Sequence, residues 1–321
     1  MLRRFDLTGL IEEVRETNAK KIGIQLPDGI KYWIFEIVRI LEKEGFEVVV
    51  SGKASYGSCD IDLELLKKVD LLMHFSHTPV IELDRVVYVP YKVEYNVESV
   101  LKTLRTEDIE FERVSLTATS QYAHKLEEVK ERLEDEGFKV YLKKGSDRVK
   151  MKGQVLGCNF TSVDRRAEAV IFVGDGNFHP KGIAIYSKKD VYAVSPLEEK
   201  LRKFRKDEVE KFIRERYTLI AKAMECKNFC VVASSKPGQN RLDLAVKLRN
   251  LLNSVNCNSI IVYTDEVRLE NFPCECIINT ACPRISYDDW RVIKKPVLTP
   301  QEAEIIAGKR SLDDYEVDEI L

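Results

Sequence analysis

The apolar positions of this chain follow a pattern that repeats. In "IVRILEKEGFEVVV", ending at Val50, hydrophobic residues recur at helical spacing against a charged face, a glycine stops the helix, and a β-branched run follows. "VKERLEDEGFKVYL", ending at Leu142, has the same order. Before each helix stand a short apolar strand and a polar turn, "KIGIQLPDG" and "RVSLTATSQ", with Asp28 and Ser120 as the expected N-caps. A third copy, "FCVVASSKPGQNRLDLAVKLRNLLNSVNCNSIIVY", predicts a strand from Phe229, a turn from Ser234 to Gln239, a helix from about Asn240 and a strand from about Cys257. Each copy continues with a short apolar strand running into a turn closed by proline: "VDLLMHFSHTP", "AEAVIFVGDGNFHP" and "CECIINTACPR".

Strands alternating with helices imply parallel sheets joined by right-handed crossovers. The pattern therefore predicts three small α/β domains, over 1–96, 97–206 and 207–321. No linker rich in proline, glycine or serine separates them, which favours tight packing. A hydrophobic fraction of 44% is enough for real cores. The 51 basic and 53 acidic residues nearly cancel, so no global field draws the chain to nucleic acid or an anionic membrane. No stretch approaches the roughly 18 apolar residues of a spanning helix, and the first residues lack the apolar core of a signal peptide. The expected location is cytoplasmic. Thiols stay reduced there, so the eight cysteines read as buried side chains, reactive thiols or metal ligands rather than a disulfide framework.

Three of them share a setting. Cys59 in "SYGSCD" and Cys158 in "VLGCNF" lie in loops of the first two repeats, and Cys282 lies in the third repeat, in the turn where the others carry His77 and His179. Ligands of parallel sheets bind outside the carboxyl ends of the strands, so three domains facing a common centre bring these thiols together. Three thiolates suit an iron–sulfur cluster with one iron left open, whereas a closed structural site uses four. The remaining cysteines fit core packing: Cys226 and Cys230 span a helix end, Cys274 and Cys276 alternate on one strand face, and Cys257 is a core residue. His74 and His77 are too close for a helical metal pair and stand at a strand end.

Polar turns supply candidate ligand contacts. In "SSKPGQNR", Lys236, Gly238, Gln239 and Arg241 sit at a helix start, where free N–H groups and the dipole favour an anion. Gln25 and Asp28 in "QLPDG" are the counterpart in the first repeat. Gly176 and Asn177 in "GDGNF" expose backbone N–H groups to a carboxylate or ribose, and Arg284 beside Cys282 is a candidate carboxylate clamp.

Taken together, "QLPDG", "YGSCD" followed by "HFSHTP", "LGCNF", "VGDGNFHP", "KPGQNR", "ACPRISYDD" and "PVLTPQE" resemble, in order and over nearly the whole chain, the motifs of the archaeal diphthamide synthase family. The resemblance implies a homodimer of three Rossmann-like domains arranged around a central site. It also implies a [4Fe-4S] cluster held there by Cys59, Cys158 and Cys282. It further implies transfer of the 3-amino-3-carboxypropyl group of S-adenosylmethionine to C2 of a histidine of elongation factor 2, by a radical mechanism that releases methylthioadenosine and requires an electron donor. The chain departs from relatives that carry a longer "HYGHSC"-like stretch: "HFSHTP" keeps both histidines and loses the small and sulfur-bearing residues. Two other readings share the three-thiol pattern: a three-domain iron–sulfur dehydratase of the quinolinate synthase kind, and a non-catalytic electron-transfer partner.

Overall fold

The computed structural model describes Phe5, residues 7–107 and residues 109–321. Thirteen strands form three sheets among these residues. The first contains β1 (Lys21–Gln25), β2 (Glu47–Val50), β3 (Leu71–Phe75) and β4 (Val86–Val89), in the order β2-β1-β3-β4. The second contains β5 (Arg113–Ala118), β6 (Lys139–Tyr141), β7 (Ala169–Val173), β8 (Val191–Ser195) and β9 (Lys200–Phe204), in the order β6-β5-β7-β8-β9. The third contains β10 (Asn228–Ser234), β11 (Asn258–Thr264), β12 (Cys276–Asn279) and β13 (Val297–Leu298), in the order β11-β10-β12-β13. The three orders are the same topology, and every pairing is parallel except β8 with β9, where a tight reversal adds an antiparallel edge.

The central strands explain their own composition. Strand β3 reads "LLMHF" and β7 "AVIFV", and every residue of each is buried, because helices and loops cover both sheet faces. The crossover helix Ile34–Lys43 buries Ile37 and Leu41 against the first sheet, Leu126–Asp135 buries Leu126, Val129 and Leu133 against the second, and Leu242–Ser254 buries Ala245, Leu248 and Leu252 against the third. Truncating one such leucine costs about 2–5 kcal/mol.

All three helices end in the same left-handed cap. Gly45 (φ 92°) and Gly137 (φ 93°) donate to Glu42 and Glu134, while Phe46 and Phe138 donate to Leu41 and Leu133. The third repeat has no glycine there. Asn256 (φ 62°) takes its place, with Asn256 donating to Asn253 and Cys257 to Leu252. Expected caps at Asp28 and Ser120 do not form. Asp28 is the first residue of a single-turn helix, Asp28–Trp33, and its exposed carboxylate pairs instead with Lys31 at 2.6 Å. Tyr122, not Ser120, precedes the turn Ala123–Lys125.

Two cysteine expectations are corrected. Cys226 and Cys276 form a disulfide between the end of helix Lys206–Ala223 and β12. Cys274 does not share a face with Cys276: β12 begins only at Cys276, so Cys274 stays in the preceding loop and packs with Cys230 on the other side of the sheet. No helix among the described residues is long and apolar enough to cross a membrane.

The shared cap makes a direct prediction. Gly137→Ala places a Cβ in the left-handed region and lowers stability by about 1–2 kcal/mol. Asn256→Gly supplies the residue that the other repeats use there and leaves stability equal or higher. Chemical denaturation of both variants checks the pair.

Candidate metal centre

The carboxyl ends of the three sheets face one cavity of about 200 Å³, lined by Cys59, Cys158 and Cys282 with His77, Arg148 and Arg284 among their neighbours. Cys59 follows β2 and Cys158 follows β6, at matching places, whereas Cys282 follows the third strand of its sheet, β12. The three thiols feel one another. Burial is the main force raising each of them, and the neighbouring sulfurs add to it at Cys158, pushed up to about 11, and at Cys282, pushed up to about 12. Cys59 is raised by the same desolvation, opposed by its contact with Gln239.

Each loop is held by buried polar bonds rather than by sheet ladders. Gln25, 1% exposed, donates to the carbonyl of Asp60 at 2.8 Å and accepts from the Asp62 N–H at 3.1 Å. Lys236 reaches the Asp60 carboxylate at 3.0 Å, and Gln239 Nε2 lies 3.0 Å from the Cys59 sulfur. Gly238 has no alternative there, because a Cβ would fall 2.5 Å from that of Cys59. The turn after β12 is tied by Asn279, whose side chain donates to the Cys282 carbonyl at 2.8 Å and to Ser286 Oγ at 3.1 Å. Behind it, the fully buried Arg216 pairs with Glu302 and donates to the carbonyls of Ser286 and Val297. The C-terminal residues close the arrangement: Ile320 donates to the Cys158 carbonyl at 2.9 Å, and Asn159 donates back to the Ile320 carbonyl at 2.9 Å.

The expected ligand contacts separate accordingly. Cys59, Cys158, Cys282 and Arg284 are brought together on the cavity. Arg241 is engaged within the protein and does not line the cavity: it donates to the Thr280 and Ala281 carbonyls at 2.7 and 3.0 Å and pairs with both oxygens of Asp318, which braces the Cys282 turn. Gln25 and Lys236 are likewise engaged with the Cys59 loop. Asp28, Gly176 and Asn177 are exposed and lie outside the cavity lining. Arg148 was not anticipated from sequence, since "KKGSDRVKMKG" reads as a solvated basic loop. Its guanidinium nevertheless donates to the Gly238 carbonyl at 2.9 Å and faces Cys158 and Cys59.

Arg284 stacks its guanidinium 3.5 Å from the Phe178 ring centre and pairs with Asp288. Burial lowers its pKa, and the Nε atoms of both Arg284 and Arg148 are buried with no hydrogen-bond partner among the described residues. Two cations with unspent donors in one cavity favour an anionic group such as a carboxylate.

The donor set fits an iron–sulfur cluster. Soft thiols from three loops converge where Gln239 and Arg148 offer N–H groups to sulfur. No fourth cysteine lines the cavity, and among the described residues no three ligating side chains close around a single metal ion.

Three like α/β sheets, each delivering one thiol to a shared cavity, define a class of three-repeat, three-cysteine α/β proteins. The chain belongs to the diphthamide synthesis protein family, whose profile matches residues 26–316. It is 37% identical to 2-(3-amino-3-carboxypropyl)histidine synthase of Pyrococcus horikoshii over all of this chain and 95% of that protein. It is 26% identical to subunit 1 of the human synthase over 94% of this chain and 71% of the relative. Among solved structures, Dph2 from Pyrococcus horikoshii with a 4Fe-4S cluster superposes with a TM-score of 0.90 at 36% identity, covering 99% of this chain and 94% of the other. The relatives are synthases, and this chain is an enzyme of the same transferase class.

Two predictions arise from the braces. Arg241→Ala leaves Asp318 buried without its partner and costs about 3–5 kcal/mol; denaturation of the iron-free protein measures it. The buried His74 and the half-buried His77 and His179 give a pH dependence. Burial lowers His74 to about 3 and His77 and His179 to about 4, so below pH 6.5 the unfolded chain takes up protons that the folded chain refuses. Stability therefore falls as pH drops from about 6.5 toward 4, by about 2 kcal/mol at pH 5 for His74 alone. Urea titrations at pH 7, 6 and 5 check the slope.

Proposed function

We propose that this chain carries out the first step of diphthamide synthesis. It transfers the 3-amino-3-carboxypropyl group of S-adenosylmethionine to C2 of a histidine imidazole of elongation factor 2 and releases methylthioadenosine. The observation that carries the reading is the convergence of Cys59, Cys158 and Cys282 on one cavity that no fourth cysteine lines. These three would hold a [4Fe-4S] cluster with one iron free of protein ligands. When bound and reduced, such a cluster supplies the electron that breaks the sulfur–carbon bond to the methionine γ-carbon, which makes the transfer a radical one.

The chain's own residues bind and orient. Arg284, with its unspent Nε, and Arg148 across the cavity are the groups for the carboxylate of S-adenosylmethionine. Gln239 keeps its contact with the Cys59 sulfur, which is a cluster-tuning role rather than a nucleoside contact. The working assembly is a homodimer served by an electron donor in the cytoplasm, with three domains over 1–96, 97–206 and 207–321.

The test is anaerobic reconstitution with iron and sulfide, reduction, addition of S-adenosylmethionine with and without elongation factor 2, and mass spectrometry of the products. Methylthioadenosine and a modified histidine are expected. Cys59→Ala, Cys158→Ala and Cys282→Ala are each expected to lose the cluster's visible absorbance and the activity. Wild-type turnover in any of the three, or intact S-adenosylmethionine beside a reduced wild-type cluster, would sink the reading.

A further inference from the structure

His74 and His77 hold no metal in the arrangement above, yet they form a directed chain into the cavity. Strand β3 ends at Phe75, and Ser76 takes a left-handed turn (φ 76°), a conformation costly for a residue with a Cβ. That turn folds His77 back over His74, so that the rings stack with centres 5.0 Å apart and His74 Nε2 lies 2.8 Å from His77 Nδ1. At the other end, His74 Nδ1 lies 3.1 Å from Gln25 Oε1.

The proton positions along this chain follow from Gln25. Its NH₂ group donates to the Asp60 carbonyl and its Oε1 accepts from the Asp62 N–H, which fixes the amide orientation. An amide oxygen has no proton to give. His74 Nδ1 must therefore be the donor, and since His74 is buried and neutral, its Nε2 is a bare acceptor. His77 Nδ1 then carries the proton that bridges to it, and the neutral His77 ring is left with a bare lone pair on Nε2. No hydrogen bond from the described residues reaches that atom. His77 lines the cysteine cavity and also an adjoining cavity of about 330 Å³ bounded by Tyr88 and Glu13, so it stands where the two meet.

An acceptor-only nitrogen takes a hydrogen-bond donor. Arg148 and Arg284 already bring two guanidinium groups to the cysteine cavity, so a donor that adds no net charge fits best. A neutral imidazole satisfies both conditions. Its C2 lies between its two nitrogens, so holding either N–H keeps C2 next to the held atom. We propose that Gln25, His74 and His77 form a fixed-tautomer wire whose end, His77 Nε2, accepts the N–H of the target imidazole and turns C2 toward the cysteine cavity. This assignment rests on the proposed reaction. His77 touches the substrate; Gln25 and His74 are positioning residues that fix its tautomer.

Two measurements test it. In iron-free protein labelled with ¹⁵N-histidine, the four histidines are few enough to resolve; His77 is expected to be protonated on Nδ1 and bare on Nε2, and the opposite tautomer overturns the wire. In reconstituted enzyme with S-adenosylmethionine and the acceptor protein, methylthioadenosine released is compared with histidine modified. His77→Leu is expected to keep the cluster absorbance and S-adenosylmethionine cleavage while transfer drops about three- to tenfold, the loss of one neutral hydrogen bond. His77→Gln, which retains an acceptor oxygen, is expected to recover part of the coupling. Parallel loss of cleavage and transfer, or a raised KM for S-adenosylmethionine with an unchanged product ratio, overturns the imidazole assignment. Absence of cleavage by the wild-type enzyme overturns the proposed reaction and the assignment with it, whereas cleavage with an unchanged ratio in His77→Leu overturns the assignment alone.

Discussion

Everything at the centre of this molecule depends on keeping three half-buried thiols close together in a place where water solvates them poorly. Desolvation and mutual repulsion hold Cys158 and Cys282 far above the ordinary thiol range, so in the protein alone the sulfurs are neutral. A soft, cationic occupant reverses that preference, because it favours the thiolate form that the cavity otherwise resists. The loops that carry the three thiols are set in place by the protein itself. Loops cannot do this through sheet ladders, and here they do it through buried polar bonds: Gln25 to the Cys59 loop, Asn279 and Arg241 to the Cys282 turn, and Ile320 to the Cys158 carbonyl.

The repeated topology makes the convergence cheap to build. Three sheets with one strand order point their carboxyl ends at a common space, and each contributes a loop to it. The symmetry is broken at one place. In the first two repeats the cysteine follows the second strand and a histidine follows the third. His77 stands in a turn, but His179, against the sequence expectation of a turn, lies in the first turn of helix Phe178–Ser187. In the third repeat the cysteine itself follows the third strand. His77 and His179 both line the cavity wall.

Much of this was legible in the sequence, and the limits have a physical cause. Repeats, crossover helices and their left-handed caps follow from local periodicity, and even the unexpected Asn256 cap uses the residue type that best replaces glycine. The three cysteines were readable because two stand after glycine in loops and one beside proline, which are poor settings for core packing. What sequence did not reveal was the partnership of polar side chains. Arg241 and Gln25 have the composition of ligand-binding residues, and nothing local distinguishes a guanidinium facing a substrate from one facing Asp318, 77 residues away. Arg148 failed the other way: it lies in a lysine-rich loop that reads as solvated surface. The Cys226–Cys276 disulfide joins positions 50 residues apart, and spacing carried no sign of it.

The charge balance of the cavity links these residues to the chemistry. Had Arg241 faced the cavity as its motif suggested, three guanidinium groups would have surrounded the thiols. Asp318 takes one out of play and Asp288 partly offsets another, leaving Arg148 and Arg284 with unspent Nε donors. That remainder suits the proposed occupants, thiolates beside a carboxylate, whereas a stronger positive field would favour wholly anionic ligands. The neutral histidine wire fits the same logic, because a charged imidazolium at His77 would add back the repulsion that the Asp318 pair removes.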